Sequence, residues 1–201
     1  MSNQAVDSAK PSNWNAPNII TAARIVATPF FLWLLLVSGD SVAMRWGAAA
    51  FFVIAIASDA LDGYLARSRG LITDLGKLLD PIADKALTGA AFVGLAILGE
   101  LPWWIVVLVL VREVGITIHR LMIVSEVVVA ADWMGKLKTV AQAVAITLAL
   151  TPLAQLAGPT GTVFTWVNIV TMTIAVLLTL ASGIDYIIAF ARGRGAATRH
   201  A

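Results

Sequence analysis

Four aspartates form two closely spaced pairs within residues 58–85, which read SDALDGYLARSRGLITDLGKLLDPIADK. Asp59 and Asp62 are three residues apart, and Asp80 and Asp84 are four apart. Side chains at these spacings share one face of a helix, so each pair would present two carboxylates in the same direction. Ionised groups next to long apolar stretches are costly and usually need partners. The pattern therefore predicts a polar site between two helix ends.

Carboxylate oxygens without any thiolate are the ligands that hard divalent cations such as Mg²⁺ and Mn²⁺ prefer. The chain contains no cysteine. Two metal ions held by carboxylates are used in proteins for in-line displacement at phosphorus. We expect Arg67 and Lys85 to neutralise part of the negative charge. The alternative is that the aspartates are surface charges paired with Arg and Lys. We interpret Asp74 as a surface charge of this kind. Gly63 and Gly76 fit either close approach of a ligand or close packing of helices.

The elements that carry these residues are predicted to be membrane-spanning helices. The 201 residues are 59% hydrophobic and 13% charged, whereas a soluble domain carries about 25% charged residues. The apolar residues fall in runs near the ~20 residues that a helix needs to cross a bilayer. The fold class is therefore all-α, a polytopic integral membrane protein. Six transmembrane helices are expected, at 19–38, 44–66, 78–98, 102–122, 136–156 and 163–190.

We divide the chain into three parts. Residues 1–16 form a polar N-terminal segment with a short interfacial helix near Trp14, because tryptophan suits the headgroup region. Residues 17–192 form the six-helix membrane domain, and residues 193–201 a polar C-terminal tail. A short connection is expected to make spans two and three antiparallel neighbours, so that the four aspartates converge.

The distribution of basic residues predicts the orientation in the membrane. With the N-terminus in the cytoplasm, twelve of the 14 Lys and Arg residues fall on the cytoplasmic side. Only Arg45 falls outside, and Arg112 lies within span four. Cytoplasmic segments carry the excess of Lys and Arg, so both termini and the aspartates are expected to face the cytoplasm.

The segment with its spacings is Asp59-x₂-Asp62-Gly63-x₂-Ala66-Arg67-x₈-Gly76-x₃-Asp80-x₃-Asp84. It resembles the signature of the CDP-alcohol phosphotransferase family at all eight positions. Members of that family are six-span membrane enzymes, usually homodimers, that transfer a phosphoalcohol group from a CDP-alcohol to a hydroxyl and release CMP. The stretches PNIITAARIVATP at 17–29, LLDPIADKAL, VREVGIT and WMGKLKTVAQ resemble the subgroup whose acceptor is glycerol 3-phosphate.

The resemblance implies a role for each matched position. Asp59, Asp62, Asp80 and Asp84 resemble the metal ligands, and Asp84 also resembles the proposed general base. The positions that resemble those holding the CDP part of the donor are Asp62, Gly63, Ala66, Arg67, Gly76 and Asp80. The implied partners are CDP-diacylglycerol, glycerol 3-phosphate, membrane lipid and a second copy of the chain. The implied cofactor is a divalent metal, Mg²⁺ or Mn²⁺, with two ions expected. We expect no nucleic-acid partner.

A phosphorylated acceptor needs basic residues of its own. Arg112 lies about ten residues from either end of span four, and an intramembrane arginine is a functional candidate by default. The alternative is a structural pair with the adjacent Glu113 or an aspartate. Lys136 and Lys138 begin span five on the cytoplasmic side, where the excess of Lys and Arg in cytoplasmic segments would by itself explain them. The resemblance of GKLKTVAQ to the subgroup favours a phosphate pocket instead. Arg24, with Asn18, is expected to close it from span one.

Three other interpretations remain open at the level of the sequence. The same chemistry would serve another acceptor, such as inositol phosphate or phosphatidylglycerol. A divalent-cation transporter with an aspartate-lined site is less well supported, because no acidic residue continues a path along the outer half of the same spans. A purely structural membrane protein has the least support. His119 and His200 are the only histidines, and we expect His119 to have a structural role.

Overall fold

The computed structural model describes residues 12, 15–39, 41–68, 73–122 and 133–197. These residues form six α-helices and one 3₁₀ turn, and no strand occurs among them. The predicted all-α class is confirmed. The helices are α1 (Ala16–Val37), α2 (Val42–Ser68), α3 (Asp74–Ile97), α4 (Trp103–Met122), α5 (Trp133–Leu150) and α6 (Pro159–Ala197), with the 3₁₀ turn at Pro152–Gln155.

Caps and prolines account for where several helices begin and end. The side chain of Asn15 caps α1, and that of Thr73 caps α3, because a side-chain oxygen satisfies a free N–H of the first turn. This cap starts α3 four residues before the expected position 78. The fifth helix ends at Leu150 rather than 156, since Pro152 cannot continue an α-helix and begins the 3₁₀ turn instead. The sixth helix continues beyond 190 to Ala197.

The helices form a multi-pass membrane protein. Four segments are long and apolar enough to cross a bilayer: Ala16–Val37, Val42–Leu65, Trp133–Gln155 and Pro159–Ala191. Large apolar side chains are exposed on the helix surfaces, as lipid contact requires. The other two long helices, α3 and α4, are interrupted by charged residues such as Asp84, Lys85, Arg112 and Glu113. The predicted interfacial helix falls almost entirely outside the described residues.

The first helix, α1, lies in the middle of the part of the bundle that carries the aspartates. It packs extensively against both α2 and α3, which touch each other only slightly. Spans two and three, expected to be direct neighbours, do contact each other among the described residues, but both pack mainly on α1. The contact with α3 is close: a Cβ at Gly94 would lie 2.6 Å from Cδ2 of Leu35. Beyond this layer, α5 packs along α6, and α4 contacts both α3 and α6.

The two ends of the bundle differ in their polar residues. The aspartates lie toward one end, here called the aspartate end. The described residues 38, 39 and 41 and the connections at 98–102 and 151–158 lie at the opposite end. There the fully buried Arg45 donates to Glu100 Oε2 at 2.8 Å and to the carbonyl oxygen of Ala149 at 2.9 Å. These contacts tie α2 to the α3–α4 connection and to the end of α5.

Candidate active site

A buried arginine of α1 joins the two aspartates of α2. The guanidinium of Arg24 donates through Nη1 to Asp59 Oδ1, and through Nη2 to Asp62 Oδ2 at 2.8 Å. Arg24 and Asp62 are both buried, whereas the side chain of Asp59 is 41% exposed. The i, i+3 spacing of the two aspartates lets one planar guanidinium reach both. Arg24 thus holds both carboxylates on the α1 side of α2.

A threonine one turn earlier on α1 extends this contact to α3. The Thr21 hydroxyl oxygen lies 3.4 Å from Asp62 Oδ2 and 3.0 Å from Asp80 Oδ1. It also lies 3.0 Å from the carbonyl oxygen of Pro17, and its single proton serves these acceptors in turn. Three of the four aspartates therefore meet around two residues of the first helix.

The start of α3 is held against α1 by a side-chain contact and a glycine. Asn18 Nδ2 donates to Thr73 Oγ1 at 2.8 Å, and the same oxygen accepts from the backbone N–H of Gly76 at 3.0 Å. A Cβ at Gly76 would lie only 2.6 Å from Asn18 Oδ1. A side chain here would have to displace the Asn18 amide, which holds α1 to Thr73, or move α3 away from α1. This contact fixes the position of Asp80, one turn further along.

The fourth aspartate points to a different partner. Asp84 Oδ2 lies 2.9 Å from Nζ of Lys85, and the same Nζ lies 2.9 Å from Glu113 Oε2 on α4. The side chains of Asp84 and Lys85 are partly exposed, and that of Glu113 is only 7% exposed. Lys85 therefore bridges the aspartates to a buried carboxylate on the neighbouring helix.

Glu113 is the centre of a group that we call the cation cluster, which consists of Glu113, Lys85, Arg112 and Lys138. Its Oε1 accepts from Arg112 Nη1 at 2.8 Å and from Lys138 Nζ at 2.6 Å. Three cations thus contact one carboxylate, which leaves the cluster positive. A buried positive group of this kind is suited to bind an anion through charge-assisted hydrogen bonds.

Arg112 is fixed in place by α6. Its Nη2 donates to Ser182 Oγ at 2.7 Å. A Cβ at Gly183 would lie 3.2 Å from Arg112 Nε, so the small residue leaves room for the guanidinium. The expected alternative of a pair with Glu113 is observed, but Lys85 and Lys138 share that carboxylate. The arginine therefore belongs to a larger charged group and not to an isolated pair.

The other predicted positions are placed as follows. Lys138 is buried in the cation cluster, whereas Lys136 is exposed. Arg24 makes its two ion pairs with the aspartates and none with the cluster's carboxylate. Gly63 is half-buried next to Asp62. The side chains of Ala66, Arg67 and Asp74 lie outside the described residues.

Three residues acquire contacts that the sequence interpretation did not assign. Thr21 bridges two aspartates, Glu113 gathers three cations, and Lys85 joins the two groups. The spacing Asn18-x₂-Thr21-x₂-Arg24 indicates a shared polar face of α1, because it puts all three side chains on one side of the helix. A carboxylate within an apolar helix such as α4 is also a functional candidate by default.

His119 has a packing role in the structure. Its Nδ1 lies 2.8 Å from the Tyr186 hydroxyl, and its ring meets those of Tyr186 and Phe190 edge to face. These contacts join α4 to α6 at the aspartate end.

The residue types at the aspartate end fit a divalent metal. Asp59 and Asp62 already converge on one positive group, and Asp80 approaches from α3. Such an all-oxygen set is what Mg²⁺ and Mn²⁺ prefer. In the described ranges, however, no three acidic or histidine side chains stand together closely enough to hold one ion. Two of the carboxylates turn to Arg24 and one to Lys85, so binding would require these side chains to change rotamer.

Comparison with known proteins places the chain among lipid-synthesising transferases. Residues 14–182 match the sequence profile of the family described as CDP-alcohol phosphatidyltransferase. A relative named probable phosphatidylglycerophosphate synthase, from Mycobacterium tuberculosis, is 45% identical over 174 residues, which cover 86% of this chain and 80% of the relative. The CDP-diacylglycerol–glycerol-3-phosphate 3-phosphatidyltransferase of Bacillus subtilis is 36% identical over 187 residues, covering 86% and 93%. A protein of the same name from Rickettsia typhi is 32% identical, covering 86% and 94%.

Proposed function

The chain belongs to the CDP-alcohol phosphatidyltransferase family, and on that premise we propose that it transfers the phosphatidyl group of CDP-diacylglycerol to glycerol 3-phosphate. The products are phosphatidylglycerophosphate and CMP. The family predicted from the signature is confirmed, and the relatives' names support this acceptor. The protein is a transferase of phospholipid biosynthesis.

One observation carries the choice of acceptor. Contacts run without a break from Asp84 through Lys85 to Glu113, and from Glu113 to Lys138 and Arg112. Glycerol 3-phosphate has a hydroxyl at one end and a phosphate dianion at the other. The site offers the Asp84 carboxylate for the hydroxyl and the buried cation cluster for the phosphate, on adjacent helices.

The chain's own residues then have distinct roles. Asp84 takes the proton from the attacking hydroxyl, and Lys85 holds that carboxylate in position. Lys138 and Arg112 bind the acceptor phosphate, for which Glu113 keeps them oriented. Lys136 and Arg24 are further proposed contacts of the acceptor. Arg24 also holds Asp59 in position. No Ser–His or Cys–His nucleophile is required, because the hydroxyl attacks phosphorus directly and CMP leaves with the electron pair.

We propose that Asp59, Asp62, Asp80 and Asp84 hold the divalent metal on which the family generally depends, with Mg²⁺ or Mn²⁺ as the ion and two ions in the site. When bound, the metal would offset negative charge on the diphosphate and on the departing CMP. Activity is expected to disappear in excess chelator and to return with either ion. Full activity in chelator would contradict the metal proposal.

The donor is proposed to lie across the aspartate end, with its acyl tails in the bilayer. The residues assigned to its CDP part are Asp62, Gly63, Ala66, Arg67, Gly76 and Asp80. The aspartate end and both termini are proposed to face the cytoplasm from the cell membrane, following the distribution of Lys and Arg. All six long helices are proposed to span the bilayer, and the protein to act as a homodimer.

An acceptor panel tests the proposed function. The purified chain, in detergent with CDP-diacylglycerol and Mg²⁺, is supplied separately with glycerol 3-phosphate, inositol phosphate or phosphatidylglycerol. Released CMP and the lipid product are measured by chromatography and mass spectrometry. We expect the highest kcat/KM with glycerol 3-phosphate. A higher value with inositol phosphate or phosphatidylglycerol would overturn the acceptor but leave the transfer chemistry intact, and no CMP release with any acceptor would overturn both.

A further inference from the structure

A large cavity lies between α4 and α6 at the end of the bundle opposite to the aspartates. In the aspartate half these two helices are joined by Arg112–Ser182 and His119–Tyr186 contacts. At the opposite end they enclose about 640 Å³ instead. The cavity is partly open to the surface, and its volume falls in the range of about 300–1,000 Å³ that is typical of ligand pockets. We call it the opposite-end cavity.

The opposite-end cavity runs from the protein core to the surface that faces lipid. Its walls include the buried Leu95 and Met172 and the exposed Trp104 and Leu177. The lining is predominantly apolar. An aqueous solute would gain little from such a wall, while a hydrocarbon chain could enter directly from the bilayer.

The charged residues in the cavity wall neutralise each other. Arg45 pairs with Glu100 at 2.8 Å, and Arg45 is fully buried. The wall therefore offers no free charge to an anion and favours an uncharged chain.

We propose that the opposite-end cavity binds one membrane glycerolipid. An acyl chain enters past the exposed Trp104 and Leu177 and fills the apolar interior as far as the buried Leu95 and Met172. A second copy of the chain is the less favourable occupant, because the cavity reaches buried core residues that a packed helix would cover without filling. None of its lining residues belongs to the aspartates or the cation cluster, so this lipid is distinct from the reacting donor.

Photolabelling of the full chain tests this assignment. The protein is reconstituted in vesicles of phosphatidylethanolamine and phosphatidylglycerol that contain a phospholipid with a diazirine on its acyl chain. Labelled peptides are then mapped by mass spectrometry. We expect labelling of the residues that line the cavity on α4 and α6. Met172→Trp, which fills the cavity from a buried lining position, should lower it by about tenfold, equivalent to ~1.4 kcal/mol in lipid affinity.

The matched control is Ile174→Trp, which adds the same side chain to an exposed position of α6 that does not line the cavity. It should leave the labelling of the cavity unchanged, and both variants should keep CMP release. If Met172→Trp fails to fold, Val176→Phe fills the same space from a neighbouring turn. Equal labelling in filled and control variants, or no labelling at these residues, would overturn the proposal. Loss of a dimer in the filled variant alone would instead assign the cavity to an interface between copies.

Discussion

Replacing Lys138 with methionine is expected to weaken the use of glycerol 3-phosphate by about 10- to 100-fold. Lys138 is buried with its Nζ 2.6 Å from Glu113 Oε1, where it can donate to an acceptor phosphate. A hydrogen bond to a charged group contributes about 1.5–3 kcal/mol, and each 1.4 kcal/mol corresponds to about a factor of ten. Methionine keeps the unbranched shape and removes only the cation.

The assay is CMP release at saturating CDP-diacylglycerol with glycerol 3-phosphate varied, followed by the reverse titration. We expect the KM for glycerol 3-phosphate to rise, and the KM for CDP-diacylglycerol to change by less than about twofold, because we propose that the aspartates bind its diphosphate. Thr139→Ala, at the exposed neighbouring position on the same helix, is the matched control and should behave as wild type.

Loss of stability has to be separated from loss of binding. Removing one partner of a buried ion pair typically destabilises by about 3–5 kcal/mol. Arg112 and Lys85 still contact Glu113 in the variant, so we expect a loss near or below the lower figure, measured as a shift in Tm. Lys138→Arg keeps the charge and should recover part of the glycerol 3-phosphate affinity. An unchanged KM for glycerol 3-phosphate in folded Lys138→Met, or an equal rise for both substrates, would refute the assignment of the phosphate pocket.

Three further predictions concern the proposed base, the α1–α3 contact and the orientation. Asp84→Asn should lower kcat by about 10²–10⁴-fold, as loss of a general base does, and turnover within about threefold of wild type would exclude that role. Gly76→Ala would place a Cβ 2.6 Å from a side-chain oxygen of α1 and should destabilise by about 1–3 kcal/mol; Gly115→Ala, whose Cβ would meet nothing within 4 Å, is the control in the same thermal unfolding measurement. Single cysteines at Ser41 and Ser68 should be labelled by an impermeant reagent from outside only at Ser41, and the reverse pattern would overturn the orientation.

The sequence was most informative where chemistry and helical spacing coincide. The aspartate pairs, their signature and the six helices could be predicted because apolar runs and i, i+3 or i, i+4 spacing are local properties of the chain. Helix ends were less well predicted. A cap such as Thr73 or a break such as Pro152 moves a boundary by several residues without altering the apolar pattern.

Contacts between distant helices could not be read from spacing. That α1 packs between α2 and α3 depends on side-chain fit along whole helices, so the positions of Thr21 and Arg24 among the aspartates were not predicted. The sequence suggested only that Glu113 pairs with Arg112, because the two residues are adjacent in the chain. Its contacts with Lys85 and Lys138 come from two other helices and required the tertiary structure.

The transfer step itself is tested most directly with glycerol 3-phosphate that carries ¹⁸O in its attacking hydroxyl. The wild-type protein is incubated with this acceptor, CDP-diacylglycerol and Mg²⁺, and the masses of both products are measured by mass spectrometry. Attack of the labelled hydroxyl oxygen on the phosphatidyl phosphorus predicts phosphatidylglycerophosphate that carries the label and CMP that does not. Label in a cytidine-containing product, or CMP release without labelled phosphatidylglycerophosphate, would contradict the proposed reaction.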